Sequence, residues 1–328
     1  MESYRNKKVL ITGGLGFIGS NLAHRLVGSG THVTIVDNLA PDCGANRFNL
    51  EGVQEKVRVE IADIQDPAKM KDLVRGQDYL FNLAGQVSHI DSMRNPFADL
   101  EINVRSHLSL LETCRQHNPG VVIIYTSTRQ IYGKPDYLPV DEKHLLHPTD
   151  VNGINKMAGE WYHILYGRVY GIKCTSLRLI NTYGPRQLMK HNRQGFIAWF
   201  IRKAVRGERI ELFDGGQVTR DLNYVDDVVE ALLLAGSNEK ARGAILNLGG
   251  DEPVTLLDLA KLLLEITRHG SYAVVPFPND KKRIDIGSVR CDYSRIKNLL
   301  GWKPQVGLRE GLRRTVEYYQ KYGKHYWD

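Results

Sequence analysis

Within the first 37 residues a short apolar strand, a glycine-rich turn, a helix and a second strand ending in an acid follow one another, and nothing else in the 328-residue chain constrains the fold as tightly. Lys8-Val9-Leu10-Ile11-Thr12 is apolar, partly β-branched and ended by glycine, which reads as a buried strand. Gly13-Gly14-Leu15-Gly16-Phe17-Ile18-Gly19 follows, then Ser20 to Leu26 with helical apolar spacing, then the strand His32 to Val36 and Asp37. Together these make a βαβ dinucleotide-binding fingerprint. Gly13 allows the tight turn, Gly16 lets the backbone approach a pyrophosphate, and Gly19 lets helix and strand pack closely. The unpaired N–H groups at the helix start face the phosphates. Asp37 is placed to bond the adenosine ribose hydroxyls and to repel a 2′-phosphate. Neither Asn38 nor Leu39 offers a positive charge to welcome one, so NAD is expected rather than NADP.

The glycine spacing is GxxGxxG, and Thr12 to Gly19 resembles the TGGxGFIG motif of the extended short-chain dehydrogenases/reductases, the nucleotide-sugar epimerase and dehydratase family. Similar segments recur in the family's order along nearly the whole chain. Asp63-Ile64 resembles the adenine-contacting pair after the third strand, and Leu83-Ala84-Gly85 the loop beneath the cofactor. Asn103 sits at the family's helix asparagine. Leu177 to Pro185 (with Asn181), Arg220-Asp221, Leu300 to Pro304 and Glu310 to Leu312 resemble the substrate segment, the phosphate-side arginine and the C-terminal signature. The resemblance implies NAD as cofactor, held by Gly13, Gly16, Phe17, Ile18, Gly19, Asp37, Asn38, Asp63, Ile64, Leu83, Ala84, Gly85, Asn103 and Lys156. It also implies a nucleotide-sugar substrate held by Thr128, Asn181, Arg220 and Arg283.

Strand-like runs at Val57–Ala62, Tyr79–Leu83, Val121–Thr126, Lys173–Leu179 and Ile245–Leu248 alternate, in the earlier part, with helical stretches. That pattern predicts an α/β fold, a Rossmann-type doubly wound parallel sheet with a smaller, interleaved C-terminal substrate domain. The expected division is 1–180 plus about 221–250 for NAD, and about 181–220 plus 251–328 for substrate. Helices are expected over Leu256–Ile266, N-capped by Thr255, and over Leu308–Tyr319, and Gln187 to Gly195 reads as a loop.

The catalytic end carries one departure from the family. Thr128, after the strand ending Thr126-Ser127, matches the position whose hydroxyl bonds the reacting sugar hydroxyl. Lys156, in a helix running to Tyr170, matches the lysine that bonds the nicotinamide ribose and lowers a neighbour's pKa. That neighbour is the tyrosine of the family's YxxxK motif, and here the chain reads Asn152-Gly153-Ile154-Asn155-Lys156. An amide donates and accepts hydrogen bonds but takes no proton near neutral pH. Asn152 is therefore expected to position a hydroxyl while another group acts as base. The candidates are His89, in the loop after Leu83-Ala84-Gly85, together with Asp91 and Asp150. The family's 4,6-dehydratases carry an Asp-Glu pair just after the threonine, and its decarboxylases a glutamate in the same stretch. Arg129-Gln130 offers no acid, which leaves epimerisation as the main expectation. Leu83 to Val87, Ile124 to Thr128 and Gly195 to Phe200 look similar to CDP-paratose (CDP-tyvelose) 2-epimerase segments. Another activity of the family, or an NAD-bound sensor or scaffold without catalysis, are the alternatives.

The balance of 44 Lys and Arg against 37 Asp and Glu, +7, is spread without any basic run of five, which favours small anions over nucleic acid. Cys43, Cys114, Cys174 and Cys291 form no CxxC, so no metal site is expected and a reducing cytoplasm is. No stretch approaches the ~20 apolar residues of a bilayer span, and the charged Met1 to Lys8 segment does not read as a signal peptide. A homodimer is expected through Asp99–Gln116 and Asn155–Tyr170, as the family implies. These segments carry Leu108, Leu110, Leu111, Trp161, Ile164 and Leu165.

Overall fold

The computed structural model describes residues 2–327. Seven parallel strands form its central sheet: β1 (Lys8–Thr12), β2 (His32–Asp37), β3 (Val57–Ile61), β4 (Tyr79–Asn82), β5 (Val122–Thr128), β6 (Lys173–Leu179) and the short strand Ile245–Asn247. Their spatial order is Ile245–Asn247, β6, β5, β4, β1, β2, β3. From β3 at one edge the chain crosses back to pair β4 with the free side of β1, so winding reverses between β1 and β4. A crevice opens where their carboxyl ends diverge.

Both faces of the sheet are covered, which is why its strands are apolar on consecutive residues and not on alternate ones. Val9 and Ile11 join Leu22, Ile35, Phe81, Ile124 and Val228 in one buried cluster, under α1 (Phe17–Val27) and the helix Val225–Ser237. Leu10 points the other way, joining Val36, Leu80, Ile123, Met70, Leu110 and Tyr166 beneath the helices Pro67–Val74, Ser106–His117 and Val151–Tyr170. The first cluster continues through Ile197 and Leu259 to Leu312, in the helices Phe196–Val205, Leu256–Thr267 and Leu308–Tyr322, which pack on one another. The expected cap is present, since Thr255 Oγ1 accepts from Asp258 N at 3.0 Å. Among the described residues no helix is long and apolar enough to cross a membrane.

Three expectations change in detail. β5 runs on to Thr128, because Thr126 to Thr128 pair with Leu177 to Leu179 of β6. His89 opens a short helix, His89–Arg94, instead of lying in a loop, because Ser88 Oγ caps it by accepting from Asp91 N. Of the six apolar residues on the two long helices, Leu110, Leu111 and Ile164 are buried inward, Leu108 is partly buried, and Trp161 and Leu165 are exposed.

Candidate active site

The crevice has a cavity volume of about 350 Å³, within the range of an ordinary small-ligand pocket. One end is built by the glycine turn. Gly13 has φ +65°, and a Cβ there would lie 2.9 Å from the Ala84 backbone, so both the turn and the close approach to the β4 loop require glycine. A Cβ on Gly19 would fall 2.4 Å from the Gly13 carbonyl oxygen, so this glycine closes the loop upon itself. α1 starts at Gly16 with no side-chain cap, which leaves its first N–H groups for a ligand.

Asp37 stands beside this turn at the end of β2. Its carboxylate accepts from Leu15 N at 3.1 Å and from Leu39 N at 3.0 Å. Burial raises its pKa, and these two bonds oppose the shift. Each oxygen keeps a lone pair for ribose hydroxyls. Asn38 Nδ2 donates to Asp63 Oδ2 at 3.0 Å, and Asp63 and Ile64 continue the wall. Leu83 N and Ala84 N both donate to Thr12 Oγ1, which shapes the loop after β4. Asn103 is buried and does not line the crevice. It brackets Gln86 instead, accepting from its N–H and donating to its carbonyl, and so holds that loop from behind.

At the other end Thr128, Asn152, Lys156, His89 and Asn181 line the same space. Thr128 Oγ1 accepts from Gln130 N at 3.2 Å, which leaves its own hydrogen to be directed elsewhere. Lys156 is buried with Nζ 4.8 Å from the centre of the Tyr125 ring. Burial brings its pKa down to about 8, against the pull of the Asp99 and Glu160 carboxylates.

Asn152 has a different environment from the one its position suggests. Its Nδ2 donates to the Gln86 carbonyl at 2.8 Å and to Asp99 Oδ2 at 3.0 Å, so both amide hydrogens are committed within the protein. Asn155, one helical turn on, donates to the other oxygen of the buried Asp99 at 2.8 Å. Only Oδ1 of Asn152 remains, as an acceptor. Asp99 escaped the sequence reading, although two asparagines three apart on a helix are a signal for one shared acceptor.

The three candidate bases separate. Asp91 is ion-paired to Arg193 at 3.1 Å, and Arg193 also reaches Asp42 at 3.0 Å. Asp150 is buried and N-caps the helix Val151–Tyr170 by accepting from Gly153 N at 2.7 Å, and Gln130 Nε2 donates to it at 2.9 Å. His89 Nδ1 lies 3.0 Å from Asp150 Oδ2, off the ideal line for a hydrogen bond, as is common before substrate arrives. Burial would raise the Asp150 pKa, but His89, Gly153 and Gln130 together hold it below its ordinary value. The one polar contact of the His89 ring among the described residues is through Nδ1, and the ring borders the crevice. Sequence reasoning found both members of this pair without seeing that they meet, and it missed Gln130 as their support.

Arg220, expected to meet the substrate phosphates, is buried and does not line the crevice; its Nη1 donates to the carbonyls of Thr219 and Gly287, and Nη2 lies 3.9 Å from Asp285. Burial first, then the like charge of Arg129, disfavours its protonated form. Arg283 is exposed and does not line the crevice. Asn181 does, and its Oδ1 accepts from Arg129 Nη2 at 2.7 Å.

A doubly wound sheet, a glycine turn at a helix start, an acid ending the second strand and a threonine–lysine pair across the crevice define a dinucleotide-dependent enzyme of the Rossmann class. The profile of the NAD dependent epimerase/dehydratase family matches residues 9–249, and the chain belongs to that family. The putative UDP-glucose 4-epimerase of Methanocaldococcus jannaschii is 33% identical over 314 residues, which cover 94% of this chain and 97% of that protein. The CDP-paratose 2-epimerase of Salmonella typhi is 29% identical over 340 residues, with 95% and 98% covered. Among solved structures, the UDP-glucose 4-epimerase of Thermotoga maritima with UDP-glucose superimposes with TM-score 0.86 at 36% identity, over 96% of this chain and 99% of that one. The glycine turn, the uncapped α1 and Asp37 fit the NAD that the family uses.

Proposed function

We propose that the chain is an NAD-dependent nucleotide-sugar epimerase in which His89, oriented by Asp150, replaces the tyrosine as proton acceptor. The observation that carries this reading is the 3.0 Å contact between His89 and Asp150 in the crevice that Thr128 and Lys156 share, while the amide hydrogens of Asn152 are committed elsewhere. Bound NAD supplies the group that takes up a hydride from the sugar and gives it back. The chain's residues do the rest. Glycine-turn N–H groups and Asp37 hold the dinucleotide, and Lys156 carries positive charge beside it. Thr128 donates to the reacting hydroxyl or its oxyanion. His89 Nε2 takes the hydroxyl proton, and the Asp150 carboxylate balances the imidazolium that forms. When the hydride returns, the same imidazolium gives the proton back. Asn152 Oδ1 holds a neighbouring hydroxyl, and Asn181 meets the substrate from the crevice wall. The absence of an acid at Arg129-Gln130 supports epimerisation over elimination.

UDP-glucose and CDP-linked sugars are the first substrates to try, because relatives are named for them. The test is His89→Ala, with NAD content checked in parallel. Turnover should fall about 10²–10⁴-fold, with NAD still bound. Unchanged turnover would remove His89 from this role. Inertness of the wild type toward a broad nucleotide-sugar panel, with NAD bound, would favour a sensor.

We further infer a homodimer, formed in a reducing cytoplasm, through the face on which Phe97, Leu100, Trp161, Leu165 and Val169 remain exposed on adjoining helices. Such an interface would be isologous. Light scattering at micromolar concentration checks it, and a monomeric mass would refute it.

A further inference from the structure

Arg129 follows Thr128 directly in the chain and is buried, yet it does not line the crevice. Its charge is costly there. Burial dominates its lowered pKa, against the pull of the Asp221 and Asp285 carboxylates, Arg220 is a second buried guanidinium nearby, and Nη1 has no partner among the described residues. An apolar side chain would fill the same volume without that cost. What the guanidinium does make is one short bond, from Nη2 to Asn181 Oδ1 at 2.7 Å.

We propose that Arg129 is a positioning residue for substrate, which turns the Asn181 amide so that its Nδ2 donates into the crevice. A guanidinium has donors and no acceptor, so only the oxygen end of an amide can face it. The NH₂ end is thereby aimed away from Arg129. It has no partner among the described residues, and Asn181 borders the crevice two residues beyond Leu179, which pairs with Thr128. A free asparagine presents either end to a ligand. This one is held as a donor, which suits the oxygen acceptors of a nucleotide sugar, a diphosphate oxygen or a sugar hydroxyl, and it is turned against a ligand offering only donors. The proposal rests on the nucleotide-sugar reading above.

Titration calorimetry of the NAD-loaded protein with UDP-glucose and with UDP tests it. Arg129→Met should weaken UDP-glucose about tenfold, the loss expected when a hydrogen bond to a charged group is no longer supported. Arg129→Lys should recover most of that affinity. Asn181→Asp keeps an oxygen for Arg129 but removes the donor, and should lose at least as much as Arg129→Met. The double variant should bind no worse than Asn181→Asp alone, because one relay is broken twice. An equal loss for UDP assigns the acceptor to the diphosphate, and a loss confined to UDP-glucose assigns it to the sugar. Both support the proposal. Unchanged affinity in Arg129→Met, or wild-type affinity in Asn181→Asp, overturns it, whatever the melting temperatures do. Should Arg129→Met fail to fold, the Lys and Asp variants decide. A wild type that binds neither ligand overturns the nucleotide-sugar reading itself, an outcome distinct from a wild type that binds while the variants match it.

Discussion

At the scale of single residues, the replacement of a tyrosine by Asn152 is integrated with its surroundings. Asp99 takes one amide hydrogen from Asn152 and another from Asn155, so removal of either leaves a buried carboxylate under-bonded. Asn152→Tyr is therefore expected to lower stability by about 1–3 kcal/mol and not to raise turnover. Urea unfolding and steady-state assay check both, and a rise of orders of magnitude would instead mark a decayed tyrosine enzyme. Lys156 permits a prediction of opposite sign. Its folded-state pKa of about 8 lies below the free value of 10.5. Between those values the unfolded chain binds the proton and the folded chain does not, so stability rises with pH across that window. Below it the whole cost remains, about 3 kcal/mol from the size of the shift. Lys156→Met should abolish activity yet make the NAD-free protein more stable at pH 7. It should also flatten the gain in stability between pH 8 and 10, as read from denaturant midpoints.

At the scale of elements, the helix Val151–Tyr170 joins structure to chemistry at its first turn. Asp150 caps it through Gly153 N and also receives His89. Asp150→Asn keeps a good cap and loses the charge, whereas Asp150→Ala loses both. Thermal melts should show a loss of about 1 kcal/mol for Ala and little for Asn, while turnover falls by similar factors in both. Equal turnover in Asn and wild type would show that the carboxylate only caps. The same helix shows what was legible beforehand. The βαβ unit, the strand runs and the order of motifs are local patterns, and the sheet follows them closely. Thr128, Lys156 and Asp37, which line the crevice, stand out in the sequence because each lies at a fixed offset from such a pattern. Asp99 with Asn152, Gln130 with Asp150, and Arg129 with Asn181 were not, because their separations of 53, 20 and 52 residues close only when the chain folds. His89 reads as a loop residue in the sequence because its helix is too short to show a period.

At the scale of the whole molecule, Arg193 ties together two segments that border the crevice, pairing with Asp42 after β2 and with Asp91 in the helix His89–Arg94. Both pairs are partly exposed, so each is weak alone. Together they join the segments that carry Cys43 and His89, both of which line the crevice, and Arg193→Ala should speed exchange of bound NAD several-fold, with a similar acceleration of the wild type at high salt. Competition of labelled against unlabelled cofactor measures it, and an exchange rate equal to wild type at low salt would dismiss the link as incidental. A last consequence concerns heat. A tyrosine four residues before the lysine would ride on one helix with it, and their spacing would survive as long as that helix did. His89 instead belongs to a separate six-residue helix, docked to Val151–Tyr170 in part through Asp150. Short elements with exposed ends open more readily than the sheet beneath them. With His89 as the proposed base, the enzyme should thus have a working temperature set by this docking and not by its melting point. On warming, activity should fade reversibly while circular dichroism still reports a fully folded chain.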